Sequence, residues 1–174
     1  MKYLILLEGN SEKAFIELLI DKGLFKINVD DMLDLRPHQK RQLDSYLLAM
    51  IRQLDKDEQV KIIRIGDKIT DKLKIPKDIR EKIHSEEKYC TKPEFEILII
   101  IAESLYEEYQ KCKSNTKAKV FAKQRVKLNG KRFDNSYTWI KDYFARTEII
   151  SILKEYKSIC NHNYNEYYLL DLCN

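Results

Sequence analysis

Turn-forming residues are scarce in this chain: it has 4 glycines and 3 prolines in 174 residues. A sandwich of many short strands needs a turn residue every few positions, so that scarcity argues against one. No Cys-x-x-Cys pair occurs, and Cys90, Cys112, Cys160 and Cys173 lie far apart. Such spacing, with no signal peptide, fits reduced thiols in a cytoplasmic protein. Cys160-Asn161-His162 has no second Cys/His pair with which to complete a structural zinc site. Long apolar runs are missing as well. Tyr3–Leu7 ends after five residues at Glu8, and Ile97–Ala102 is flanked by charge, so no segment is expected to span a membrane. The sequence holds no phosphate-binding glycine loop, dinucleotide fingerprint or Gly-x-Ser-x-Gly elbow. His38, His84 and His162 are scattered and receive no role.

What remains is a chain with 44% hydrophobic and 34% charged residues, enough for a packed core under a well-solvated surface. Tyr3–Leu7 is continuously apolar, as a strand buried on both faces of a parallel sheet should be. A helix is predicted over about 11–22, between Asn10 as N-cap and Gly23 as stop. Met32–Leu35 reads as a short second strand, and apolar spacings from Leu43 to Leu54 predict a helix. Val60–Ile65 is a β-branched strand ending at Gly66-Asp67. The first 67 residues thus read β-α-β-α-β, a pattern that favours a parallel sheet.

Farther along, Pro76 opens a short helix toward His84. Thr91-Lys92-Pro93-Glu94 has the form of a capping box ahead of one long helix over 93–113. Asn129-Gly130 marks a turn, two more helices follow over 136–144 and 147–156, and the tyrosine-rich tail packs on the domain. The fold class is α/β: a small, mostly parallel sheet flanked by helices. Residues 1–113 form its core and 114–174 a helical, basic extension packed against it within a single domain.

Glu8 and Asp67 each follow a buried strand, where ligands of open α/β sheets bind. On neighbouring strands about 5 Å apart, two carboxylates repel, so one is expected to keep its proton or both to recruit a hard divalent cation. If residues 67–71 make a helical turn, Asp71 faces the same side as Asp67. Glu96 sits between Phe95 and Ile97 and needs a partner of its own.

Leu7-Glu8-Gly9-Asn10-Ser11-Glu12-Lys13-Ala14-Phe15 resembles the first motif of Toprim proteins, a strand followed by Glu-Gly-x-x-Asp/Glu. The strand ending in Asp67 resembles the second. Pro93-Glu94-Phe95-Glu96 resembles the Pro-x-Phe-Glu segment of RloB-like proteins, a Toprim-related group associated with restriction and phage-defence loci, and the overall pattern resembles RloB-like and OLD-type Toprim proteins. This resemblance implies Mg²⁺- or Mn²⁺-dependent phosphodiester chemistry. Glu8 would be the catalytic general acid/base or metal-poising glutamate and Asp67 the first metal-binding aspartate, with Asp71 or Glu96 compensating as a further metal-binding acid. A partner protein, such as an ATPase from the same locus, is also implied. Asp67-Lys68-Ile69-Thr70-Asp71 departs from the usual Asp-x-Asp, with Ile69 in place of the second acid. The alternatives are therefore a non-catalytic nucleic-acid or nucleotide-binding module with a degenerate acidic site, or a regulatory partner protein.

The overall net charge is only +4, but residues 111–146 carry eleven lysines and arginines against Asp134 and Asp142. Lys117, Lys119, Lys123, Arg125, Lys127, Lys131 and Arg132 form the densest part and point to a nucleic-acid partner, DNA or RNA. The interleaved aromatics Phe121, Phe133, Tyr137, Trp139, Tyr143 and Phe144 read first as helix core.

Overall fold

The computed structural model describes all 174 residues. Four strands, β1 (Lys2–Leu7), β2 (Val60–Gly66), β3 (Ile83–Cys90) and the later β6 (Glu166–Tyr167), form one sheet in the order β1-β2-β3-β6. All pairings in it are parallel. Helices cover both faces, as the unbroken apolar runs require. Ile5, Leu7, Ile63 and Ile65 point into the larger core with α1 (Asn10–Asp21), α6 (Tyr137–Phe144) and α7 (Ile149–Ile159). Leu4, Leu6, Val60 and Ile62 point the other way, onto α2 (Ser45–Gln53) and the 3₁₀ turn at Lys77–Lys82. No helix is long and apolar enough to cross a membrane. All four cysteines are free thiols.

The end of α1 follows directly from its sequence. Gly23 adopts φ +66, and the N–H groups of Gly23 and Leu24 donate back to the carbonyls of Ile20 and Leu19. Asn129 and Gly130, both at positive φ, form the turn of a small hairpin between β4 (Lys127–Leu128) and β5 (Lys131–Arg132).

Four expectations are corrected. Met32–Leu35 is not a strand: Val29–Asp31 and Leu33–Leu35 are 3₁₀ turns, and Asp34 and Leu35 take positive φ. That segment touches β1 only through single bridges, Tyr3 with Met32 and Leu6 with His38. The second neighbour of β2 is instead β3, which the short-helix reading of 76–84 stops short of. Its sequence, IHSEEKYC, lacks an apolar run and is only half-buried along most of its length; two of its acids form diagonal charge pairs with β2, Glu87 with Lys61 at 2.6 Å and Glu86 with Arg64 at 2.9 Å.

The helix predicted over 93–113 is two helices, α3 (Ile97–Ala102) and α4 (Tyr106–Cys112). Between them Ser104 takes φ +57, and the N–H groups of Ser104 and Leu105 donate to Ile101 and Ile100 in the same terminating pattern as at Gly23. The capping box does not form either: Glu94 accepts the N–H of Lys119 at 2.9 Å, and Thr91 serves the acidic site. Finally, the C-terminal part is not purely helical. It supplies β6 to the sheet, and Phe144, Tyr156 and Leu172 to the same core as Phe15 and Phe95.

Candidate active site

Three parallel strands end side by side. Leu7 pairs with Ile65, and Gly66 with Cys90, so the next residues, Glu8, Asp67 and Thr91, lie in a row along the carboxyl edge. The ladder continues one step past the strands: Glu8 N–H donates to Ile65 O at 2.9 Å, and Thr91 N–H to Gly66 O at 3.1 Å. Glu8 leans toward Asp67. Its Oε2 accepts the Asp67 N–H at 3.2 Å, while Oε1 meets Arg41 Nη2 at 2.6 Å. The Asp67 side chain accepts the Thr91 hydroxyl at 3.2 Å. Glu8 and Asp67 are thus brought together, as the sequence predicted from the two strand ends.

Two further carboxylates are buried behind this row. Glu12, in the first turn of α1, is 5% exposed, and Glu96, just ahead of α3, is 4% exposed. Burial, followed by repulsion from Glu12 and Glu96, pushes Asp67 up to about 8. Burial, with Glu8 and Glu96 adding to it, pushes Glu12 up to about 7, against the backbone amides of Glu12 and Gly9. Burial raises Glu96 as well, and Glu94 reinforces the shift, while Lys119 and Lys123 oppose it. None of Glu12, Asp67 and Glu96 has an ion-pair partner.

Asp71 is not brought to this group. Residues 67–71 make no helical turn; Ile69 turns inward, 8% exposed, and Asp71 turns to Arg64. The Arg64 side chain, 4% exposed, holds the Asp71 carboxylate at 2.7 Å and Glu86 at 2.9 Å. Gln42 Nε2 also donates to Asp71 at 2.8 Å. These contacts keep the Asp71 carboxyl below the usual range. Glu8, Arg41, Arg64, Lys68 and Asp71 all line one cleft of about 300 Å³ on the α2 side of the sheet edge.

Glu12, Asp67 and Glu96 are oxygen donors without a cationic partner, the donor type that a hard divalent cation takes. As they stand, no three Asp, Glu, His or Cys side chains converge closely enough to hold a metal ion. An ion would therefore have to draw its ligands together.

Of the basic residues, Lys117, Lys123, Arg125, Lys127, Lys131 and Arg132 are exposed, and Lys119 is half-buried. Arg125 is partly spent on Glu108, at 2.6 Å. Phe121, Phe133, Trp139, Tyr143 and Phe144 are core, as read from the sequence. Sequence reasoning missed Glu12 as a member of the site, although its place four residues after Glu8 in a helix start was a usable signal. Thr91 reads locally as a cap, which hides its part in the site. The nearness of Lys119 and Lys123 to Glu96 had no local signal, because it depends on how α5 (Ala118–Arg125) docks on α3.

In comparisons with known proteins, no family pattern, curated protein or solved structure matches this chain.

Proposed function

We propose that this protein is a metal-dependent phosphodiester-processing enzyme of nuclease type, acting on DNA or RNA in the cytoplasm. The observation that carries this reading is the group of acids at the carboxyl edge of the sheet: half-buried Asp67 at the end of β2, with Glu12 and Glu96 buried at two helix starts behind it, none of the three ion-paired. Such a group is stable only if it holds protons or a cation, and a site that must hold one or the other is suited to moving charge. A bound Mg²⁺ or Mn²⁺ would be held by Asp67, Glu12 and Glu96, and would offset the charge that builds on a phosphate in the transition state. Glu8 is half-buried and lines the open cleft beside the row. It is held in place by Arg41 and the Asp67 N–H, and it orients a water and takes its proton. Lys119 and Lys123, on the side of Glu96, attract the phosphate backbone. The resemblance to Toprim proteins of restriction and phage-defence loci, with a partner such as an ATPase, is consistent with this reading and belongs to the same proposal.

The test is incubation of labelled single- and double-stranded DNA and RNA with the protein, in Mn²⁺ or Mg²⁺ and in EDTA. Cleavage is expected only with metal. Glu8→Gln and Asp67→Asn should each slow it by about 100-fold or more, while retaining the fold and nucleic-acid binding. Absence of metal-dependent cleavage, or variants that cut as well as the wild type, would reject the proposal. A non-catalytic binding module is the second reading. It is favoured by Ile69, which is buried where Asp-x-Asp has its second acid, and by the capture of Asp71 by Arg64.

A further inference from the structure

Lys68, the residue after Asp67, lines a second cleft as well as the one beside Glu8. This second cleft has a volume of about 630 Å³ and opens among the segment leading into α3, helix α4 and the end of α7. Its charge is of one sign: Lys68, Lys92 and Lys113 line it, and no carboxylate does. Lys68 and Lys113 have no ion-pair partner, while Lys92 pairs with Glu166. Tyr106 adds a ring, and Gln110 and Asn161 add amides.

Each part of this lining narrows the ligand. The two unpaired ammonium groups of Lys68 and Lys113, beside the Lys92–Glu166 pair, call for an anion, and an apolar ligand would strip them of water with nothing in return. A bare anion leaves the aromatic and apolar wall unused. A ligand that is anionic at one end, planar and aromatic at the other, and edged with hydrogen-bonding groups uses all three features. The volume lies within the ordinary range of small-molecule sites, about 300–1,000 Å³.

We infer that this cleft binds one nucleotide unit, its phosphate among Lys68, Lys92 and Lys113 and its base against Tyr106, with Gln110 and Asn161 on the base edge. The inference rests on the phosphodiester reading and adds the substrate class. A base that reaches Tyr106 must be unpaired, so the strand served is single-stranded or a frayed end. Lys68 joins the two clefts, so the bound unit is a near neighbour of the phosphate presented to Glu8 and Asp67.

Titration calorimetry with 5′-AMP in EDTA tests the cleft without any catalysis, with adenosine and inorganic phosphate as comparisons. 5′-AMP is expected to bind at least ten-fold more tightly than either. Lys113→Glu, at an exposed position, and Tyr106→Leu should each weaken it about five-fold or more, with melting curves showing that both variants are folded. If 5′-AMP binds no better than phosphate, or if Lys113→Glu leaves its affinity unchanged, the inference is overturned. A protein that cuts nucleic acid with Mn²⁺ but does not take 5′-AMP overturns this inference alone. One that takes 5′-AMP, loses it in both variants and never cuts overturns the phosphodiester reading alone.

Discussion

A methyl group on Gly66 would stand 2.3 Å from Oε2 of Glu8 and 2.8 Å from its Cβ. The last residue of β2 is therefore bare because the Glu8 side chain crosses over it to reach the Asp67 N–H. Gly66→Ala should force Glu8 out of the row and cost about 1–3 kcal/mol as a buried overpacking change, or several degrees of Tm. Glu8→Ala in the same chain removes the carboxylate clash but not the Cβ contact, so it should recover only part of the loss. An undiminished Tm for Gly66→Ala would show that Glu8 does not occupy this position.

Asp67 links stability to pH. Its folded value of about 8 lies above the ordinary aspartate value of 3.8, so the folded protein holds a proton that the unfolded chain releases. The stabilisation is whole below the unfolded value and is lost as pH rises through the folded one. While one proton is differentially bound, the slope is about 1.4 kcal/mol per pH unit, and Glu12 acts with the same sign. His38 and His162, held below the usual imidazole value by burial, tilt the curve the other way below about pH 6.5. The clear window is therefore pH 6.5–8, where Tm should fall as pH rises and fall less in Asp67→Asn. Mg²⁺ or Mn²⁺ should raise Tm at pH 8 and have little effect at pH 5. A metal-independent Tm at pH 8 would favour the binding module.

The basic face should govern affinity rather than turnover. Lys123 and Lys127 are exposed and unpaired, whereas Arg125 already contacts Glu108. Reversing Lys123 and Lys127 to glutamate should weaken nucleic-acid binding and reduce the slope of log K against log salt by about 0.7–0.9 for every phosphate no longer neutralised. Arg125→Glu adds a second defect, an acid set against Glu108. Filter binding at several salt concentrations reads these slopes, and unchanged slopes for both single and double strands would remove this surface from the account.

Asp71 should behave as a structural partner of Arg64. Asp71→Asn leaves Arg64 with Glu86 and Gln42 with a weaker acceptor, a loss of about 1 kcal/mol after allowance for the exposure of Asp71. The Mn²⁺ concentration that half-saturates cleavage should not move. A ten-fold rise in that concentration, with Tm unchanged, would instead return Asp71 to the metal set. Arg64→Met should be more disruptive to folding, since it removes the buried side chain that holds both Asp71 and Glu86.

The amino-acid sequence alone was enough for β1 and β2, because a strand buried on both faces writes itself as an unbroken apolar run. It was enough for the positions of Glu8 and Asp67 at neighbouring strand ends, and for the stop at Gly23, where a left-handed residue was required. The buried aromatics of 121–144 and the exposed lysines among them were also readable, from helical spacing and local charge. Tertiary structure decided the rest. β3 is only half-buried along most of its length and two of its acids pair with Lys61 and Arg64, more than twenty residues away, so its own composition looks like a loop. Ser104 ends α3 without glycine. Thr91 and Glu94 had two possible uses each, a local cap or a distant partner, and the docking of β2 and α5 settled which. Asp71 was separated from Asp67 by one buried Arg64, and Glu12 was drawn in beside it by the packing of α1 on the sheet. A carboxylate's partner is chosen by whichever cation or donor the fold brings within about 3 Å, and spacing along the chain cannot state that.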